Sequence, residues 1–537
     1  MAAAARGLLE ARDNGGVGVL AGGRLTFTDA YAYAKFARLA LRTNDIDFRA
    51  RAHSAEEAAF LGARIAGTSP ERGGVTFTGL EKASVVLLVA LEPEEESAIL
   101  FLRLRKAARR GLQVFSVAPL LSNGLVKMSG TLIGAEPGAE AAVLAGLAGE
   151  DQAGDAVRDA AERNKLGALL RTPGAVVLVG ERAALTPGLL TAVGDLVDAT
   201  GASLAWVPRR AGERGALDAG ALGTLLPGGR PLADPAARAE VESAWGASIP
   251  ETPGRDTSGI LAAVGIAIDE ELQAEDEVDN TEDQPPGLAG LLIGGVEISD
   301  LPDPAAALAA VASAGFVVSL EIRVSAVTEL ANVVFPVATA PEKSGSYVNW
   351  EGRIRPFEAA LPEAGMLDEA RILDTLGVEM DVDLYTQTPA AAAAEIARLG
   401  VWSGQRENPQ PVAPIDEPLG VGDFLLASWR MNLDGGRALD GEPHLMGTAK
   451  ADVARLSPRA ALALGVRDGD PVTVRGTASS ITLPLAVTGM LDDVVWLPAH
   501  IDGIATTGRL GATVGDRVQI DLGAGSRRPG TGAGGER

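Results

Sequence analysis

Residues 84–117 narrow the fold more than any other stretch. Ser84 to Leu91 (SVVLLVAL) is apolar at almost every position, which suits a parallel strand covered on both faces. Pro93 then opens a helix with Glu94, Glu95 and Glu96 in its first turn and Arg105, Lys106, Arg109 and Arg110 in its last, before Gly111. Acid at the start and base at the end complement the helix dipole. Leu112 to Val117 follows as the next strand. Such a strand–helix–strand unit predicts an open α/β sheet.

The same alternation recurs. Val17 to Leu20 reads as a short buried strand, and Thr28 as the N-cap of a helix from Asp29 to Leu41. Ala175 to Val179, Pro187 to Thr200 and Ser203 to Val207 form a second set; Gly290 to Ile293, Ala305 to Ala314 and Phe316 to Leu320 form a third. Residues 269–286 hold nine carboxylates and no base, the composition of a solvated linker. A proline-rich linker follows at 407–418. Beyond it Ser457 and Pro458 start a helix that Gly465 ends. Asp468, Gly469 and Asp470 then turn the chain into the strands Pro471–Val474, Ile481–Val487, Val494–Leu497 and Arg517–Leu522. This predicts a small β-barrel over 419–525, with a glycine- and arginine-rich tail at 526–537.

Composition removes whole classes of chemistry. With no cysteine among 537 residues, disulfides and cysteine-bound iron–sulfur clusters are excluded. His53, His444 and His500 stand far apart, so no histidine-based zinc motif can be read, and no GxSxG elbow is present. A net charge of −24 argues against nucleic acid and against an anionic membrane surface. Apolar runs fall short of the roughly 20 residues needed to span a bilayer. The first residues do not form a signal peptide, so the expected location is cytoplasmic. Gly16 to Ala21 matches a loose GxGxxA pattern, but the dinucleotide fingerprint needs its glycines after a strand, and here they precede one.

Several segments in order are similar to the molybdopterin-oxidoreductase-like part of the G-subunit family of bacterial NADH-quinone oxidoreductase (complex I). They are residues 22–58, 91–110, 206–231, 329–353 (ELANVVFPVATAPEKSGSYVNWEGR), 440–450 (DGEPHLMGTAK) and the barrel at 457–522. The resemblance implies interleaved open parallel-sheet α/β domains over 1–406, with an inserted α/β unit at about 45–268. It also implies a C-terminal double-psi-type β-barrel like the family's dinucleotide-binding domain. Active relatives hold two pterins and molybdenum or tungsten between these parts. The family's cysteine-bearing N-terminal region with its iron–sulfur clusters has no counterpart here, so the chain is expected to be a truncated or split product.

Each candidate site has a bland reading beside the functional one. The stretch Thr43 to His53 resembles the segment that carries the metal ligand in molybdenum enzymes, but the ligand position falls at Ala52, whose methyl has no lone pair. His53 or Ser54 could substitute; a loop histidine held by a hydrogen bond is preferred. Glu92, Glu94, Glu95 and Glu96 crowd the helix N-terminus where a phosphate would sit, and like charges there oppose it. Arg209, Arg210 and Arg214 resemble a pterin-contacting loop; pairing with surplus carboxylates is preferred. Glu342, Lys343, Gly345, Asn349, Gly352 and Arg353 form a motif after the strand Ala331 to Val337, a usual ligand place; retention as a mutual brace is preferred.

No catalytic residue, metal ligand or cofactor is therefore expected in this chain. The expected role is structural: part of the hydrophilic arm of complex I, on the inner face of the plasma membrane without inserting into it. It would contact other arm subunits and support electron transfer from NADH to quinone coupled to proton translocation. The alternative is an active molybdopterin-dependent oxidoreductase of a small substrate; a weaker one is an anion-binding module built on the three arginines. Limited proteolysis should cut within 269–286 first. Resistance there while 407–418 is cut would refute these boundaries.

Overall fold

The computed structural model describes residues 1–149, 160–264, 287–414, 420 and 422–522. The acidic run 269–286, part of the proline-rich linker and the tail 526–537 lie outside the described residues. Two compact units divide the chain: residues 1–74 with 208–410, and 75–207 with 411–537.

The first unit is built on a five-stranded parallel sheet. Its strands lie in the order Val333–Pro336, Phe316–Glu321, Gly290–Gly294, Val17–Ala21 and Ile46–Asp47. Val17 pairs opposite Gly290, and Gly290 opposite Phe316. Numbered along the chain this is 5-4-3-1-2, so direction reverses between Val17–Ala21 and Gly290–Gly294. Such a switch point opens a crevice at the carboxyl ends of the two strands, where open α/β sheets take ligands.

The helix Phe27–Leu39 packs on this sheet and is buried all round, from Phe27 to Arg38. Its N-cap is Thr26 rather than Thr28. The Thr26 hydroxyl accepts from the Asp29 N–H at 3.2 Å and donates to the Asp29 carboxylate at 2.6 Å, a closure that Thr28 would need a partner at residue 31 to make. Burial on every side forces its polar residues to find partners. Lys35 pairs with Glu395 at 2.8 Å, and Tyr31 donates to the same carboxylate at 2.9 Å. Arg38 has no carboxylate. Its guanidinium donates to Asn44 Oδ1 and to the carbonyls of Ala34, Gly220, Leu222 and Leu225, at 2.8–3.1 Å. Burial pulls its pKa down to about 9.

The second unit contains a parallel sheet and a barrel. The sheet order is Thr131–Gly134, Gln113–Ala118, Val85–Val89, Ala175–Gly180, Ser203–Val207, or 3-2-1-4-5 along the chain. Its switch point falls between Val85–Val89 and Ala175–Gly180. Both strands are buried at every residue, as their unbroken apolar runs predict. The helix after Val89 does not run unbroken from Pro93. A turn at Pro93–Glu96 ends at Ser97 (ψ 75°), and Ala98–Ala108 starts afresh. Glu96 folds back to accept the Glu92 N–H at 2.6 Å, closing the first turn on itself.

Six strands close the barrel in the order Phe424–Trp429, Val494–Pro498, Ala454–Leu456, Ser480–Val487, Pro471–Arg475, Arg517–Leu522. Two neighbouring pairs run parallel, Leu425 opposite Val494 and Ala454 opposite Leu485, so the strands interlace rather than meander. Leu426, Leu456, Val472, Val474, Val495, Leu497 and Val518 fill the interior. Ser457 caps the helix Pro458–Leu464 and Gly465 ends it with φ 72°.

Replacing Arg38 with lysine keeps the charge but cannot reach five acceptors, because an ammonium carries three donors and no planar fork. Arg38→Lys should lower stability by about 2–3 kcal/mol through the stranded carbonyls, read as a fall in the urea midpoint with the slope unchanged.

Candidate functional site

The switch point of the first unit is occupied by its own side chains. Gly22 and Gly23 follow Val17–Ala21. A Cβ at Gly22 would lie 2.3 Å from the Gly295 carbonyl oxygen, and one at Gly23 would lie 2.7 Å from Arg210 Cδ and 3.0 Å from Glu213 Cγ. Glycine is needed here because the strand ends and the Arg210–Glu213 loop touch backbone to backbone and side chain to backbone.

From that point a ladder of alternating charge runs through the interior. Asp47 pairs with Arg49 at 2.9 Å, and Arg49 with Glu57 at 3.4 Å. Glu57 pairs with Arg51 at 2.8 Å, and Arg51 with Glu213 at 2.9 Å. Glu213 meets Arg210 at 3.5 Å, and Arg210 meets Asp300 at 2.7 Å. Every one of these side chains is buried. Burial favours the neutral acid, but the adjacent Arg49 guanidinium prevails at Asp47 and holds its carboxyl below the ordinary value. Arg210 also donates to the Ala50 carbonyl at 3.0 Å. Arg214 lies beside the ladder, pairing with Asp218 at 3.2 Å and donating to the Thr68 carbonyl at 2.6 Å. Arg209 is half-buried in the same loop and also has a partner.

At the place of the metal ligand, Ala52 offers no donor atom. The His53 side chain is almost fully buried. Its Nδ1 lies 2.7 Å from the Arg51 carbonyl and therefore carries the proton. Its Nε2 faces Asp256 at 3.4 Å, and the contact with His53 holds the Asp256 carboxyl down to about 2. Ser54 caps the helix Ala55–Phe60. No group of three or more His, Asp or Glu side chains among the described residues is arranged to hold a metal ion. This donor set does not fit a molybdenum or tungsten centre.

The motif at 342–353 separates into two parts. Glu342 caps its own turn, accepting the Thr339 N–H and hydroxyl at 2.8 Å each, and these bonds lower its pKa. Lys343 turns inward to Asp29 at 2.8 Å and Glu369 at 2.5 Å. Two buried carboxylates then share one ammonium. Burial and the Asp29 charge push Glu369 up to about 8, while Lys343 is held above its ordinary value against the cost of burial. Gly345 begins the hairpin Gly345–Val348/Ile354–Phe357, where a Cβ would press on Thr26 at 3.1 Å. Asn349 and Arg353 meet at the hairpin's end: Asn349 Oδ1 accepts the Arg353 N–H at 2.9 Å. Asn349 also donates to Glu351 at 2.8 Å, and Arg353 reaches Glu351 at 3.4 Å. Gly352 has φ +82°, and a Cβ there would lie 2.0 Å from the Thr68 carbonyl oxygen. Asn349, Gly352 and Arg353 therefore brace one turn, whereas Glu342 and Lys343 serve the protein elsewhere.

The second unit treats its switch point the same way with different chemistry. Val85–Val89 ends at Ala90, held at φ +48°, a region alanine rarely adopts. Glu96, just beyond, takes both Arg182 nitrogens at 2.8 and 3.2 Å, and Arg182 also lies 5.4 Å over the Trp429 ring. Glu94 pairs with Lys127, and Glu95 with Lys450 and with the Asn432 N–H. Glu92, Glu94, Glu95, Trp429, Lys450 and Arg455 are among the residues that line a cleft of about 420 Å³, counting the solvent at its mouth. A diphosphate entering it would meet three carboxylates, two of which, Glu94 and Glu95, are already joined to lysines.

Motif reading missed the acidic partners: Asp47, Glu57, Glu213 and Asp300 in one unit, Asp29 and Glu369 beside Lys343. One signal was available. In Asp47-Phe48-Arg49-Ala50-Arg51 charge alternates with apolar residues, the mark of a strand-like segment with one polar face.

The molybdopterin oxidoreductase family model matches residues 1–367. The chain belongs to the molybdopterin oxidoreductase family. The molydopterin dinucleotide binding domain model matches residues 438–524, which contain five of the six barrel strands. Among curated members, the chain is 54% identical over 531 residues to the NADH-quinone oxidoreductase G subunit of Mycobacterium bovis, covering 98% of this chain and 61% of that protein. It is 48% identical over 537 residues to the corresponding G subunit of Streptomyces coelicolor, covering 96% and 60%. The chain thus spans about three fifths of the length of these relatives. Among solved structures, acetylene hydratase from Pelobacter acetylenicus superposes with a TM-score of 0.60 at 15% identity, covering 96% of this chain and 84% of that one. That likeness is one of fold.

Glu92 gives this family member a measurable pH dependence. Burial pushes its carboxyl up to about 7, with the Glu96 charge adding to the rise, while Ser122, the Glu94 N–H and Arg182 pull it back. The folded chain holds this proton more tightly than the unfolded chain does. The group's contribution to stability is full below pH 4.5, the unfolded value, and is lost as pH rises through 7. Glu92→Gln cannot ionise. Relative to the unmodified protein it should gain up to about 3 kcal/mol between pH 5 and pH 8, read from urea midpoints at the two pH values. An unchanged difference would contradict the assignment.

Proposed function

We propose that this chain is a cofactor-free structural portion of the G subunit in the hydrophilic arm of an NADH-quinone oxidoreductase. It contacts other arm subunits on the inner face of the plasma membrane and supports electron transfer from NADH to quinone coupled to proton translocation. Electrons travel through iron–sulfur clusters carried by cysteine-bearing segments, of which this sequence has none. The observation that carries the reading is the filling of both switch points by paired charges of the chain itself. A ligand that entered the first crevice would have to break buried ion pairs, at about 3–5 kcal/mol for each charge left alone; in the second it would compete with Glu94 and Glu95 for their half-exposed lysines. The identity to the two G subunits supports the choice of complex. Among the described residues no helix is long and apolar enough to cross a membrane, in keeping with a peripheral position.

Elemental analysis and a visible absorption spectrum of the purified chain test the proposal. The expected result is no stoichiometric molybdenum or tungsten and no band from a bound pterin. A metal near one per chain would replace this reading with that of an active molybdopterin-dependent oxidoreductase. A tagged chain should also bring NADH-quinone oxidoreductase activity down with it from solubilised membranes.

A further inference from the structure

The helix Ala98–Ala108 buries Leu100, Phe101, Leu104 and Ala107 against its own unit. Its other face is unusual for this protein. Ile99 is 61% exposed and Leu102 53% exposed. Arg103, Lys106, Arg109 and Arg110 are exposed beside them. Ile99, Leu102, Arg103 and Lys106 recur at i, i+3, i+4 and i+7, the spacing of one helical face, and Arg109 and Arg110 follow in the turn that ends the helix. Residues 101–110 carry five bases and no acid in a chain of net charge −24. Dipole compensation accounts for basic residues in the last turn, but not for two bare aliphatic side chains one turn earlier on the same stripe.

The stripe is also held in place. Arg103 lies 5.6 Å over the Phe77 ring and pairs with Glu81 at 2.7 Å; Lys106 reaches the same carboxylate at 3.2 Å. Side chains fixed in advance lose less entropy on association. Glu81 is one acid among four exposed cations, so the face stays positive.

We propose that this face docks a protein surface that is acidic with a small apolar centre, on a neighbouring subunit of the assembly. The inference rests on the complex assigned above. Charge complementarity selects the occupant: a positive stripe repels the same stripe on a second copy and attracts an acidic surface. Two aliphatic side chains amid four cations also match the apolar centre and polar rim of a protein interface. They offer too little apolar area to sink into the acyl boundary of a bilayer.

Hydrogen exchange on the intact oxidoreductase, compared with the isolated chain, reads this face directly, with a photoreactive residue at position 102 to mark its neighbour. The expected result is that amides of 98–110 exchange about tenfold more slowly in the complex and that residue 102 cross-links to a segment rich in Asp and Glu. The double variant I99E/L102E should fold with an unchanged urea midpoint, because both side chains are solvent-exposed, and should be recovered with the complex at about a tenth of the normal yield. If the chain is present in the purified complex but 98–110 exchanges as fast as in isolation, this proposal fails and the assignment to the complex stands. Protection that appears only with phosphatidylserine vesicles overturns the protein partner in favour of a membrane. Absence of the chain from the complex overturns both readings.

Discussion

The buried ladder from Asp47 through Arg49, Glu57, Arg51, Glu213 and Arg210 to Asp300 is the constraint on which the first unit depends. Seven charges lie in the interior, and each inner member touches two of opposite sign. A single buried pair scarcely repays its loss of water. A continuous alternation does better, because each dehydrated group is shared between two partners. The ladder joins three stretches distant in sequence: the segment from Ile46–Asp47 to the helix Ala55–Phe60, the start of the helix Glu213–Asp218 with the loop before it, and the turn Ile298–Asp300 beyond Gly290–Gly294. It can approach the end of Val17–Ala21 only because residue 23 has no side chain.

The two sheets close their crevices by different means. In the first, arginines supply most of the hydrogen bonds, and the Arg49 guanidinium holds the Asp47 carboxyl below its ordinary value. In the second, four glutamates lead, and Lys127, Lys450 and Arg182 form ion pairs with three of them. The fourth acid, Glu92, bonds a hydroxyl and an amide N–H, and burial pushes its carboxyl up to about 7 against their pull and that of Arg182. The Asp29–Lys343–Glu369 group repeats the imbalance: with one ammonium for two acids, Glu369 is the one that stays protonated longer. Burial decides how far each acid shifts, and the supply of cations decides which one.

Much of the architecture was legible because parallel sheets write themselves in long apolar runs. Ser203–Val207 and Arg517–Leu522 fall where periodicity puts them, and so does the capped helix Pro458–Leu464. Failures cluster where local signals compete. Thr26 and Thr28 are both plausible caps, and only the Asp29 side chain, three residues after Thr26, breaks the tie. The break at Ser97 escapes a reading in which Pro93 and four glutamates announce an ordinary first turn; Arg182, the partner that holds Glu96, lies 86 residues away. Two-residue strands such as Ile46–Asp47 carry no period at all. At the site, the alanine at position 52 and the crowd of glutamates were visible as residue types. Partners such as Glu213 and Asp300 were not, because 90 residues separate Arg210 from the aspartate it meets.

The division of the chain into 1–74 with 208–410, and 75–207 with 411–537, has a consequence for biosynthesis. The ribosome makes the first two strands of one sheet, then the whole of the other sheet, before it returns to supply Gly290–Gly294. At about 5–20 residues per second, Val17–Ala21 waits many seconds for its neighbour, a strand apolar on both faces with one edge unmatched. Meanwhile the sheet drawn from 85–207 has every strand it needs and can form first. A nascent chain ordered this way exposes an adhesive edge until Gly290–Gly294 emerges, so its demand for chaperones should peak before that strand is made rather than at release.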